Sequence, residues 1–171
     1  QTTPLALDAY VSKKSETLFH DNSIFSEREI EARHEIMLET YTKKIQIESR
    51  VIGDLAINHI IPAAINYQTR LAENVEALKD IGMKTAAYST QVDMITEISE
   101  HISAIKKNTD EMIDARRKAN KLEDARDKAI AYCDKVKPSF DEIRTHVDKL
   151  EMLVDDELWP LPKYRELVTI K

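Results

Sequence analysis

Phe25-Ser26-Glu27-Arg28-Glu29-Ile30-Glu31-Ala32-Arg33-His34-Glu35-Ile36-Met37-Leu38 opens the stretch that decides the fold. Ser26 and Glu29 stand at capping-box spacing, and Phe25 and Ile30 hold the staple positions on either side of the cap, so a long helix is predicted to begin at Glu27. From there to Lys79 only Gly53 and Pro62 could interrupt it, and neither is accompanied by a cluster of turn residues. Residues 26–81 therefore read as one long helix kinked at Pro62, whose missing N–H and bulky ring disturb the Asn58 carbonyl. Unbroken, such a helix spans about 80 Å at 1.5 Å per residue.

Working outward, the other segments repeat the helical pattern. Residues 1–25 read as a short helix and loop, with Thr3 capping Pro4 and an apolar set at Leu7, Tyr10, Val11, Leu18 and Phe19. Residues 84–119 carry Tyr88, Ile95, Ile98, Ile102, Ile105, Met112 and Ala119 at alternating a and d spacing, with Gln91, Thr109 and Arg116 as polar members, which is a helix-pairing seam. The register fades at Asn120 and Lys121, where a break or bend is expected. Residues 121–156 read as a helix or helix pair, since Pro138 either starts a fresh helix or kinks a continuous one. Trp159-Pro160-Leu161-Pro162 cannot continue it, because each proline removes a donor and excludes helical geometry for the residue before it. Residues 157–171 are predicted to leave extended. Leu158, Trp159, Leu161, Tyr164, Leu167, Val168 and Ile170 should dock that tail, with residues 5–19 as the expected neighbour within the chain. The fold class is all-α, a bundle of long, partly kinked antiparallel helices with an extended, proline-containing C-terminal tail.

Composition agrees. Two glycines and five prolines in 171 residues are too few for the turns of a β-fold. Thirty-one acidic against twenty-five basic side chains leave a net charge of −6, which repels a phosphate backbone unless the cations gather on one surface. The one candidate cluster, Arg116, Arg117, Lys118 and Lys121, is interleaved with Asp110, Glu111, Asp114, Glu123 and Asp124 and reads as a solvated face, so no nucleic-acid partner is expected. No run of about 18 apolar residues exists, so no membrane span is expected. Cys133 has no second cysteine to pair with, which fits a reducing, cytoplasmic setting. The chain opens on Gln1-Thr2-Thr3-Pro4 without an initiator Met or a leader pattern, and reads as a piece of a longer polypeptide.

Each chemical constellation has a structural alternative that explains it. Glu31 and His34 form one Glu-x-x-His pair, but a carboxylate-bridged di-metal site needs a second. Glu97 and His101, and Glu142 and His146, are four apart instead, so a charged helix face is the better account. Val51 to Ile65 is apolar around nearly the whole circumference, so Asn58 and His59 within it are expected to be buried and hydrogen-bonded around the disturbance at Pro62. Arg50 and Asp54 read as an intrahelical pair. No nucleophile elbow surrounds any Ser, and two glycines cannot build a phosphate-cradling loop. The chain is assigned no catalytic, cofactor-binding or metal residue.

One further pattern is specific. Asp155-Asp156-Glu157-Leu158-Trp159-Pro160-Leu161-Pro162-Lys163-Tyr164-Arg165-Glu166-Leu167 resembles the carboxyl terminus of type III glutamine synthetases. The resemblance continues upstream in Arg33-His34-Glu35-Ile36, Lys44-Ile45-Gln46-Ile47-Glu48, Gly53-Asp54-Leu55-Ala56, Asn58-His59-Ile60-Ile61-Pro62, Ala131-Tyr132-Cys133 and Lys135-Val136-Lys137-Pro138. It implies that residues 1–171 are a single helical C-terminal domain with a scaffolding or assembly role, the upstream catalytic domain being absent. It also implies a parent ligase that makes glutamine from glutamate, ammonium and ATP with Mg2+ or Mn2+. The implied partners are the upstream catalytic domain and neighbouring subunits of an oligomer. A rival reading is an independent helical interaction module that binds a partner helix through the seam from Ile95 to Met112. A third is a stand-alone metal-binding bundle.

Overall fold

The computed structural model describes residues 2–168, and among them every regular element is helical. Ile170 of the expected apolar tail lies outside the described residues. Eight α-helices follow in order: α1 Thr3–Leu7, α2 Lys13–Asp21, α3 Glu27–Leu55, α4 Ile61–Asp80, α5 Ser89–Ala119, α6 Ala125–Ala131, α7 Pro138–Leu153 and α8 Tyr164–Val168. The chain is an all-α bundle protein whose helices divide between two compact units, Gln1–Val51 with Glu111–Phe140, and Ile52–Asp110 with Asp141–Lys171.

Local chemistry explains where the helices start and stop. At the head of α3 the Ser26 N–H donates to Glu29 Oε2 at 2.8 Å and the Glu29 N–H returns a bond to Ser26 Oγ at 3.4 Å, which satisfies two of the helix's orphan donors. Ile30 behind this cap is buried, while Phe25 packs edge-on to Phe19 at 5.5 Å and carries the Arg33 guanidinium on its face at 4.3 Å. Asp124 caps α6 by accepting from the Asp127 N–H. At the far end of α4 the Gly82 N–H bonds the Lys79 carbonyl and the Met83 N–H bonds the Leu78 carbonyl, a Schellman closure. It needs a positive φ at Gly82, which is +80°.

The two prolines inside helical sequence are accommodated in the same way. Residues Ala56–Ile60 and Tyr132–Val136 each form a π turn. The residue just before each proline then donates five residues back, Ile61 N–H to the Ala56 carbonyl and Lys137 N–H to the Tyr132 carbonyl. Proline has no N–H and crowds the carbonyl four residues behind it; widening the ladder at that turn relieves the crowding. Pro138 thus begins α7 directly after the π turn, while α6, the π turn and α7 run on as a single helical stretch.

The π turn at Ala56–Ile60 also overturns an expectation. Asn58 and His59 are exposed, and the Asn58 amide donates to Asp54 Oδ1 at 2.6 Å on the outer surface. An extra residue in the turn rotates the downstream helix by about 100°. The buried track runs through Gly53, Ala56, Ile60 and Ala64, and the other side stays open, with Val51 and Ile65 about half exposed. The segment is covered on one side only.

In the first unit α3, the last turns of α5, and α6 pack around Ile30, Leu38, Met112, Ala129, Tyr132 and Val136. The Tyr132 hydroxyl donates to Asn120 Oδ1 at 2.6 Å. In the second unit α4, the body of α5, and α7 bury Val75, Ile98, Ile105, Ile143, Leu150 and Val154. Each such side chain contributes about 1.5–3 kcal/mol by leaving water. The tail folds back within this unit. Trp159 is buried, and the Lys163 ammonium donates to the Val154 carbonyl at 3.0 Å, closing the open C-terminal end of α7. The Tyr164 N–H donates to Glu151 Oε1 at 2.8 Å, and Arg70 of α4 approaches Asp155 at 3.4 Å. These neighbours lie on α7 and α4, within the tail's own unit.

Candidate functional site

The chemistry-bearing side chains singled out from the sequence fall into separate places. Glu31 and His34 do not converge on one point. Glu31 is exposed, and His34 turns its Nε2 to within 3.5 Å of Asp8 Oδ1. Asp8 in turn receives a forked pair of bonds from Arg126, from Nε at 2.9 Å to Oδ1 and from Nη2 at 2.7 Å to Oδ2. The Arg126 bonds hold the Asp8 carboxyl below its ordinary value, against a smaller opposing effect of burial. This cluster ties the 3₁₀ turn Asp8–Val11 to α3 and α6, and its chemistry is that of an ion-pair clasp.

The basic residues are dispersed as well. Arg116 reaches inward toward Ser49 Oγ at 3.4 Å, and Arg117 pairs with Asp114 at 3.2 Å. Lys118 borders an open groove of 610 Å³ floored by Ala115, Ala119, Leu122 and Ala131, where Glu111 and Asp114 offset its charge. Cys133 is half-buried beside Tyr41, whose phenol is pushed well up, first by burial and then by the neighbouring thiol. The seam residues of α5 are occupied inside the chain. Ile98, Ile105 and Met112 are fully buried, while Ile95 and Ile102 are half-buried.

Two residues that the sequence kept apart are brought together. His101 on α5 and His146 on α7 face each other with Nδ1 atoms 3.0 Å apart and ring centroids 5.2 Å apart. His101 Nε2 lies 3.8 Å from Glu97 Oε1 on its own helix. Each histidine occupies the same place in its helix. His101 sits between Ile98 and Ile105, and His146 between Ile143 and Leu150, at identical spacings of three and four, and all four flanking residues are buried. Those spacings were present in the sequence. The pairing of two helices 45 residues apart was not.

Known proteins give the chain a family context. The family model for the glutamine synthetase C-terminal domain matches residues 1–79. The chain is 47% identical to a glutamine synthetase of Bacteroides fragilis over 171 residues, which is 98% of this chain and 24% of that protein. It is 28% identical to the type-3 glutamine synthetase of Dictyostelium discoideum over 99% of the chain and 24% of that protein. A glutamine synthetase of Butyrivibrio fibrisolvens aligns at 24% identity over 96% of the chain and 23% of its own length. The chain therefore spans about a quarter of the length of the curated relatives it matches. With a C-terminal-domain match over residues 1–79 and alignments that run nearly end to end of the chain, the chain is similar to the C-terminal domain of glutamine synthetases.

Proposed function

We propose that residues 1–171 form one helical scaffolding and assembly domain of a type III glutamine synthetase. In this reading an upstream catalytic domain makes glutamine from glutamate, ammonium and ATP with Mg2+ or Mn2+. The helical domain meets that domain and neighbouring subunits of a cytoplasmic oligomer. The observation that carries the reading is the 47% identity across nearly the whole chain to about a quarter of a glutamine synthetase.

The surface is consistent with such a role. On α3, Ile36, Ile47 and Val51 are 61%, 62% and 51% exposed. Ile36 and Ile47 are eleven residues apart, three helical turns, and Val51 comes one turn later, so the three form a single stripe. Thr40 and Lys43 lie between Ile36 and Ile47 on that side, and the exposed apolar residues support reading it as a contact face. Chemistry is assigned to the upstream part of the enzyme. Phosphoryl transfer requires metal-bound phosphates and basic groups held by a rigid frame. Among the described residues no three His, Cys, Asp or Glu side chains gather into a metal-holding group. Among the same residues no helix is long and apolar enough to cross a membrane.

Titration calorimetry of the chain with ATP and Mg2+ tests this division of labour. The expected result is no saturable heat. One-site saturable binding would place nucleotide chemistry in the helical domain and overturn the proposal.

A further inference from the structure

We propose that His101 and His146 form a two-histidine site for a divalent transition-metal ion of the Cu2+ or Ni2+ class, held between α5 and α7. Both rings are anchored by buried apolar residues one turn before and one turn after them, Ile98 and Ile105 on α5 and Ile143 and Leu150 on α7. The two helices thus present their imidazoles to each other from fixed places, which lowers the entropy lost when an ion is captured.

The nitrogen separation is compatible with a shared ion. With metal–nitrogen bonds of about 2.0 Å, nitrogens 3.0 Å apart subtend about 97° at the metal. That is the cis angle of a square-planar or octahedral ion, the geometries of Cu2+ and Ni2+. A tetrahedral Zn2+ would require the nitrogens to separate to about 3.3 Å. The Irving–Williams order favours Cu2+ and Ni2+ over Mn2+ or Fe2+ at such a nitrogen pair.

The protonation pattern is also suited to a ligand. Glu97 faces the Nε2 side of His101 at 3.8 Å, and a carboxylate there favours the tautomer with its proton on Nε2. The Nδ1 lone pair of His101 is then directed at His146. Without metal, the Nδ1–H of His146 donates to that lone pair. With metal, His146 gives up the Nδ1 proton to solvent and takes one up on Nε2, so both rings stay neutral with no net proton release and both Nδ1 lone pairs become ligands. No third protein ligand completes the sphere among the described residues, so the remaining positions are open to water. The site is therefore exchangeable, distinct from a closed structural cage.

Isothermal titration of the chain with NiCl2 and CuCl2 in a non-chelating buffer tests the proposal. One equivalent should bind saturably, at least tenfold more weakly in His101→Ala and in His146→Ala, and unchanged in His59→Ala, which removes an exposed histidine. Electron paramagnetic resonance of the one-equivalent Cu2+ complex reads the same site in the unaltered chain, so a variant that fails to fold does not leave the matter open. Coupling to two imidazole nitrogens is expected. Absence of binding, a signal from one imidazole or none, or affinity unchanged in a folded His101→Ala or His146→Ala chain would overturn it.

Discussion

Thr109 sits fully buried in the α5 seam, and its hydroxyl has no hydrogen-bond partner. A buried hydroxyl without a partner costs stability, so Thr109→Val, which keeps the branched shape and removes the polar atom, should stabilise the chain by about 1 kcal/mol in urea unfolding. At Asp8 the Arg126 bonds lower the carboxyl below its ordinary value of 3.8. A depressed carboxyl contributes stability that is fully present above that value and is lost as pH falls through the lower folded value. Thermal melts between pH 5 and pH 2 should therefore show a steeper acid loss for the natural chain than for Asp8→Asn, with the two curves converging at the acid end. Legibility at this scale follows sequence separation. The Ser26 and Glu29 cap was readable because its partners are three residues apart, and the family tail was readable as a motif. The clasp of Asp8 with Arg126 and the pairing of His101 with His146 were not, since each depends on which helices pack together. Asn58 and His59 were misplaced because an all-round apolar circumference was expected to be covered on several sides, whereas only the side of Gly53, Ala56, Ile60 and Ala64 is buried.

The elements show how proline is tolerated in long helices. A donor lost at Pro62 and another at Pro138 are each preceded by a π turn, and helical geometry resumes at once. Sequence located both disturbances correctly but could not distinguish a kink from a π turn, because both answer the same crowded carbonyl. The tail is the other element with a clear energetic role. Trp159 is buried within its unit, and Lys163 satisfies the Val154 carbonyl beyond the end of α7 while also meeting Asp156. Trp159→Ala should cost about 3 kcal/mol, the usual range for removing a large buried aromatic, measured by circular dichroism during urea unfolding. Lys163→Met keeps the length of the side chain but not its bond to the carbonyl, and should lower the midpoint by less than Trp159→Ala does.

At the scale of the molecule, the all-α class was legible from the scarcity of glycine and the helical spacing of apolar residues. The surface stripe of Ile36, Ile47 and Val51 was not, because exposure depends on which face of α3 the rest of the unit covers. That stripe makes the assembly role measurable. Ile36→Glu and Ile47→Glu alter exposed positions and should leave the melting curve of the isolated chain nearly unchanged. Introduced together into the complete enzyme, they would place two charges in the proposed contact, which must lose water to form. The most direct measurement is the sedimentation velocity of that doubly substituted enzyme beside the natural one. Smaller species or loosened assembly are expected, with the helical domain still folded. An oligomer of unchanged size and stability would contradict an assembly role for this face of the domain.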